Sequence, residues 1–259
     1  SARLDAGILH AMYTLEGEGH TCVPPDDLAD AAQELLKARL EVLFKRIQAL
    51  VRDQALVASP PQGHLQFPAT SEAEQKIAAA LRLLLGGQSK LPLIKVGKAV
   101  EWAQDKAGFP FAPQQADALR MALNSRVGIL TGGPGTGKTT ILRALVAILR
   151  AKNVRIELGS PTGRAAQRLA ESANHRAQTL HRILKYEPAE NKFFHNARQP
   201  LTCDYLVVDE ASMLDTRLGS AVFAALAQGT HLLLVGDIDQ LPSVGPGNLL
   251  KDLIQCGQT

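Results

Sequence analysis

Residues 127–140 read Val-Gly-Ile-Leu-Thr-Gly-Gly-Pro-Gly-Thr-Gly-Lys-Thr-Thr. Val127–Leu130 is a short apolar run that predicts a buried strand. Residues 138–151 place Ile141, Leu142, Leu145, Ile148 and Leu149 at helical spacing, so a helix follows at once. Between them Gly132 to Thr139 matches the pattern of Gly, four residues, Gly, Lys and Ser or Thr, in the strand-loop-helix setting that a phosphate-binding loop requires. Glycines let successive N–H groups turn inward, the lysine supplies a point charge, and the helix directs its positive end at the anion. Gly133, Pro134, Gly135, Thr136, Gly137, Lys138, Thr139 and Thr140 are the residues expected around the phosphates, with the Thr139 hydroxyl on Mg²⁺.

Outward from this loop the chain alternates strands and helices. Val154–Leu158, Tyr205–Val208 and Leu232–Val235 are further apolar strands, with helices near 113–124, 163–173 and 216–227. That alternation predicts a parallel sheet covered by helices on both faces, with chemistry in the loops at the carboxyl ends of its strands. The third strand delivers Asp209-Glu210 to such an end. Beside a phosphate loop, Asp209 would hold the hydrated Mg²⁺ and Glu210 would orient and deprotonate an attacking water, which favours hydrolysis over transfer to a small acceptor. Lys138, Asp209 and Glu210 are therefore expected to be catalytic, and Thr139 and Asp209 to be the metal positions.

Four further stretches extend the pattern: Gln115-Ala-Asp-Ala-Leu119 before the loop, Gly159-Ser-Pro-Thr162-Gly163-Arg164-Ala-Ala166, Thr179-Leu-His181-Arg-Ile-Leu184, and Gly236-Asp237-Ile-Asp-Gln240-Leu-Pro-Ser-Val244. In this order, with Asp209-Glu210-Ala-Ser-Met213, they resemble the successive motifs of superfamily 1 DNA helicases. The closest likeness is to the RecD-like branch, the alpha-subunit type of exodeoxyribonuclease V. Residues 92–115 look like the lead-in to that family's motor, and residues 20–85 are similar to its amino-terminal accessory region. The resemblance implies an α/β RecA-like P-loop domain that uses ATP and Mg²⁺ on single-stranded DNA. It also implies that Gln115 contacts adenine and that Gln240 senses the γ-phosphate as a fourth catalytic residue.

Thr162, Gly163, Arg164, Thr179 and His181 are the expected DNA contacts, the first three because a helix opening there offers free N–H groups to a phosphate. The family's motor has two RecA-like domains. This chain carries the motifs of the first, so it is expected to be a fragment whose second motor domain lies elsewhere, with ATP turnover near background on its own. Nuclease or repair subunits are the partners the family implies. Two other function classes compete: a DNA-binding module with a nucleotide switch, and a P-loop ATPase acting on proteins. Glu210 and Gln240 argue against the first and the basic stretch described next against the second.

Composition is consistent with this reading. The net charge over 259 residues is only +3, yet residues 138–198 hold 12 basic residues against four acidic ones, Glu157, Glu171, Glu187 and Glu190. Such an excess marks a polyanion-binding face. The three cysteines, Cys22, Cys203 and Cys256, fall in no metal spacing, which points to a reducing, cytoplasmic setting. No apolar run approaches the length of about 18 residues needed for a membrane span, and no signal segment is expected.

Residues 1–109 read as a mainly helical accessory region. After Pro24-Pro25, two amphipathic helices are followed by Ala55–Ser59, the turn at Pro60-Pro61-Gln-Gly63, and Leu65–Phe67. These helices with a hairpin give a winged-helix-like unit near 20–68. Ser71-Glu-Ala-Glu74 reads as a capping box opening another helix. A short helix follows at 96–106, capped by Gly108. The grammar changes near Phe109-Pro110, leaving 110–259 as the motor domain.

Overall fold

The computed structural model describes residues 2–59, 62–240 and 243–257. The amino-terminal unit consists of α1 (Ala2–Gly17), α2 (Pro25–Leu36), α3 (Leu40–Arg52) and an antiparallel pair, β1 (Val57–Ser59) and β2 (His64–Gln66). Pro25 opens α2 at a position where its missing N–H costs nothing. The expected helix-helix-hairpin order is present, with α1 added in front. Pro60 and Pro61, in the turn read from sequence, lie outside the described residues. Ile8, Met12, Leu28, Leu43, Ile47 and Leu65 share one core.

Next come α4 (Pro68–Gly86), α5 (Val96–Ala107) and α6 (Pro113–Asn124). Helix α4 starts at Pro68 with Phe67 as its cap, so Ser71 lies inside the helix and its hydroxyl accepts from Gln75 at 3.2 Å. The expected capping box is not the start of the helix because Pro68 already nucleates it one turn earlier. Gly108 closes α5 in the left-handed conformation, as expected. Ile77, Leu81 and Leu84 of α4 pack with the strands of the large sheet, and Val100 and Ala103 of α5 join the core on its other face. Hydrophobic packing thus divides near Pro68, whereas the sequence grammar changes near Pro110.

The remaining elements are β3 (Val127–Thr131), α7 (Lys138–Ala151), β4 (Ile156–Ser160), α8 (Gly163–Ala173), β5 (Ala177–Thr179), α9 (Leu180–Ile183), a small hairpin of β6 (Tyr186–Glu187) and β7 (Lys192–Phe193), β8 (Tyr205–Val208), a 3-10 turn (Ala211–Met213), α10 (Thr216–Ala224), β9 (His231–Gly236) and α11 (Leu249–Gln255). Five strands form one parallel sheet in the order β3-β9-β8-β4-β5. Alternation assigns its faces: Tyr205, Val207, Leu233 and Val235 point to one core, Leu206, Val208, Leu232 and Leu234 to the other. Burying each such side chain contributes about 1.5–3 kcal/mol, which is ample reason for a continuous apolar run to become a central strand. This is the RecA-like P-loop sheet, with a helical amino-terminal part, that the motifs imply.

Several boundaries differ from the sequence reading by one to three residues. The second strand begins at Ile156, not Val154, because α7 ends in a Schellman turn: Asn153 adopts φ 56°, and the Val154 N–H donates to Leu149 O at 3.0 Å. Helix α10 stops at Ala224, short of 227.

At the opposite end of the sheet, His231 ties the 87–95 linker to the strands. Its Nδ1 lies 2.8 Å from Ser125 O and its Nε2 2.8 Å from Ser89 Oγ, and its ring stacks on Tyr205. With Nδ1–H donating to the carbonyl, Nε2 accepts from the serine. Burial pushes the imidazole down to about 4, and the Arg126 charge adds to this against the pull of Ser125 O. The unfolded chain then binds more protons than the folded one between about pH 6.5 and 4. Stability should therefore be fully present above that window and fall as pH drops through it. Urea midpoints from pH 7 to 4.5 should fall less steeply for His231→Gln than for the wild type; equal slopes would remove His231 from the acid response.

Candidate functional site

The phosphate loop leaves β3 at the carboxyl edge of the sheet. Gly135 and Gly137 adopt φ 80° and 87°, a region open to glycine at little cost. At Gly137 a side chain is excluded twice over, because a Cβ there would collide with Gln115 Nε2. Gln115 stands at the third position of α6, where its Oε1 accepts from the Ala112 N–H at 3.1 Å, which turns its amide nitrogen toward the loop. Lys138 Nζ is held over the loop by the carbonyls of Gly132 and of Gly133, the latter at 2.9 Å. Thr136 Oγ1 donates to Gly133 O at 2.9 Å, bracing the same turn.

Parallel register brings two other segments to this edge. Thr131 lies opposite Gly236 and Val208 opposite Leu234, so β9 delivers Asp237–Gln240 between the phosphate loop and Asp209-Glu210. Asp209 donates its N–H to Gly159 O at 2.9 Å. Burial raises its carboxyl above the ordinary range and Glu210 adds to this, while the Glu210 N–H and the Lys138 charge pull it down. A buried carboxylate that has lost its water in this way is suited to a cation.

Glu210 is a non-glycine residue at φ 54°. Backbone in that region costs about 1–3 kcal/mol and is concentrated at functional sites. Here it turns the chain out of β8 into the 3-10 turn, against which β9 ends so closely that a Cβ on Gly236 would lie 3.1 Å from Ser212 N. Asp237 is 5% exposed; its Oδ1 accepts from the Asp239 N–H at 3.1 Å and its Oδ2 from Gln240 Nε2 at 3.4 Å. That bond ties the exposed Gln240 back to the end of β9. Leu241 and Pro242 of the same motif lie outside the described residues.

Thr162 and Thr179 follow neighbouring strands, since Ser160 pairs with Thr179. Each caps the next helix, Thr162 Oγ1 accepting from the Ala165 N–H and Thr179 Oγ1 from the Arg182 N–H, both at 3.3 Å. Gly163 and Arg164 are exposed at the start of α8. His181 is also exposed, and its ring meets Tyr186 at 5.3 Å and Phe193 at 5.7 Å. The five residues therefore gather at the β4-β5 side of the edge, while the phosphate loop and Glu210 gather at the β3-β9-β8 side.

Two features escaped the sequence reading. The β6-β7 hairpin sets Tyr186 and Phe193 beside His181, and Lys185 lies 4.9 Å from the centre of the Phe194 ring. Aromatic residues interleaved with Lys185, Lys192 and His195 form the kind of pattern in which bases can stack between cations. Second, a cleft of about 840 Å³ opens along α7 from Thr139 and Thr140, walled by Trp102, Phe109, Phe111 and Arg143. Among the described residues no three His, Cys, Asp or Glu side chains converge as a metal cage. Thr139 with Asp209 instead suits a Mg²⁺ that takes its remaining ligands from water and phosphate.

A family model described as an AAA domain matches residues 115–246. The ATP-dependent RecD2 DNA helicase of Deinococcus radiodurans is 38% identical over 206 residues, covering 79% of this chain and 28% of that protein. The RecBCD enzyme subunit RecD of Mycobacterium tuberculosis is 34% identical over 235 residues, covering 80% of this chain and 39% of the relative. This chain thus spans between about a quarter and two fifths of these relatives. The crystal structure of Pif1 helicase from Candida albicans aligns over 51% of this chain and 34% of its own, at 23% identity and a TM-score of 0.38.

Proposed function

Because the chain belongs to the AAA domain family, and within it to the RecD-like helicases, we propose that it forms the accessory region and first motor domain of an ATP-driven translocase on single-stranded DNA. The observation that carries this reading is the shared sheet edge. Phosphate loop, Asp209, Glu210 and Gln240 leave one side of it, and Thr162, Arg164 and His181 leave the other. A change at the γ-phosphate then reaches the strand contacts through rigid, adjacent strands.

In this reading Lys138 and the loop N–H groups bind the β- and γ-phosphates, and Gln115 reads the base. Thr139 and Asp209 hold Mg²⁺, which supplies charge neutralisation when bound. Glu210 accepts the proton of the attacking water. Gln240, tethered to Asp237, reports whether the γ-phosphate is present. A second RecA-like domain would close the cleft and contribute cations to the transferring group, and RecBCD-type subunits are the partner class that the RecD relatives support.

On the DNA side, contacts to phosphate carry no base information. Arg164→Ala in the full-length protein should therefore weaken single-strand binding about equally for all sequences and reduce the salt slope by roughly 0.7. Titrations of oligo-dT and a mixed-sequence strand across a range of salt concentrations measure this. An unchanged slope would place the strand elsewhere.

A further inference from the structure

Beyond β9 the chain runs through Gly245-Pro-Gly247, and three parts of the molecule meet on these residues. The Gly247 N–H donates to Gly19 O of the amino-terminal unit at 3.0 Å. A Cβ on Gly247 would lie 2.9 Å from the Thr21 methyl and would collide with Thr216 Oγ1. On the motor side, the Thr216 N–H donates to Pro246 O at 2.9 Å, and Gly245 lies against the carboxyl group of Asp215. Ser243 Oγ closes the turn by donating to Gly247 O at 2.7 Å and Gly245 O at 3.0 Å.

The hydrolytic segment of Glu210 leads into this knot, passing through the 3-10 turn to Leu214, Asp215 and Thr216. Ser212, midway along this route, is 3% exposed, and its hydroxyl has no partner among the described residues. The accessory side is anchored independently by Thr70 Oγ1 donating to Glu16 at 2.5 Å, and the Thr21 side chain itself bonds to Glu74.

We propose that Thr21, pressed against Gly247, is a positioning residue for Glu210, so that the accessory unit sets how fast bound nucleotide is turned over without touching it. This inference rests on the hydrolytic roles proposed above. A contact couples two sites only where it favours one arrangement of the segment between them over another, and residues along coupled networks modulate function by about 0.5–2 kcal/mol.

The test uses the full-length protein with poly-dT, reading kcat for ATP and, separately, the affinity for a fluorescent ATP analogue. Thr21→Arg forces bulk into the contact, whereas Thr21→Val keeps the methyl group that faces Gly247. The arginine variant should lose roughly two- to thirtyfold in kcat at unchanged nucleotide affinity, and the valine variant should keep the wild-type kcat even though its bond to Glu74 is lost. Wild-type kcat in Thr21→Arg would overturn the inference. So would a loss of nucleotide affinity matching the loss of kcat, since that marks a merely structural contact. A wild-type protein without any ATPase activity would take down the hydrolytic reading itself and this inference with it.

Discussion

Lys138→Ala in the full-length protein should lower ATP turnover by at least about 10²–10³-fold, the loss that follows removal of one preorganised donor from a developing anion. Among the described residues its ammonium group bonds only to the Gly132 and Gly133 carbonyls, and it belongs to none of the three hydrophobic cores. The fold should therefore persist, with an unchanged circular dichroism spectrum and melting temperature. Arginine at 138 should not restore the rate, because a planar guanidinium replaces a compact charge in a loop sized for an ammonium group. Turnover comparable to wild type in the alanine variant would remove the nucleotide site from this loop.

Glu210→Gln separates chemistry from binding. The side chain keeps its shape and the strained backbone at φ 54° is unaffected, but no carboxylate remains to take a proton. Loss of a general base typically costs 10²–10⁴-fold, so single-turnover hydrolysis should fall by about that factor. Affinity for ATP should be retained, since the phosphate contacts come from the loop after β3. Loss of affinity as complete as in Lys138→Ala would show that Glu210 is a binding residue and not the base.

How legible these groups were in the sequence depended on how local their causes are. The phosphate loop was readable because positive φ at Gly135 and Gly137 and the adjacent Lys138 are properties of neighbouring residues. Strand β8 was readable because four buried positions in a row admit only apolar side chains. Strand β5 was missed because Ala177-Gln-Thr179 is short and half-buried, and its pairing with β4 arises from tertiary contact alone. For the same reason, the closeness of Thr162 and Thr179 could not be seen before the register was known.

Helix α4 was read from its own periodicity, yet periodicity cannot say which core an apolar face joins. Ile77, Leu81 and Leu84 turned out to pack on the sheet. The offset of β4 to Ile156 has a similar origin: Val154 is apolar and buried, but it serves the end of α7 as the contact of a Schellman turn. Helix α1 was not read at all, although Ile8, Ala11 and Met12 mark a helical stripe.

The measurement closest to the central claim is steady-state ATP hydrolysis by the full-length protein with and without poly-dT. If nucleotide groups and strand contacts share one sheet edge for the purpose of coupling, the strand must change the rate. A clear stimulation by poly-dT, absent in Lys138→Ala, is the expected result. Hydrolysis at one and the same rate with and without DNA, in a protein shown to bind both ATP and the strand, would contradict it.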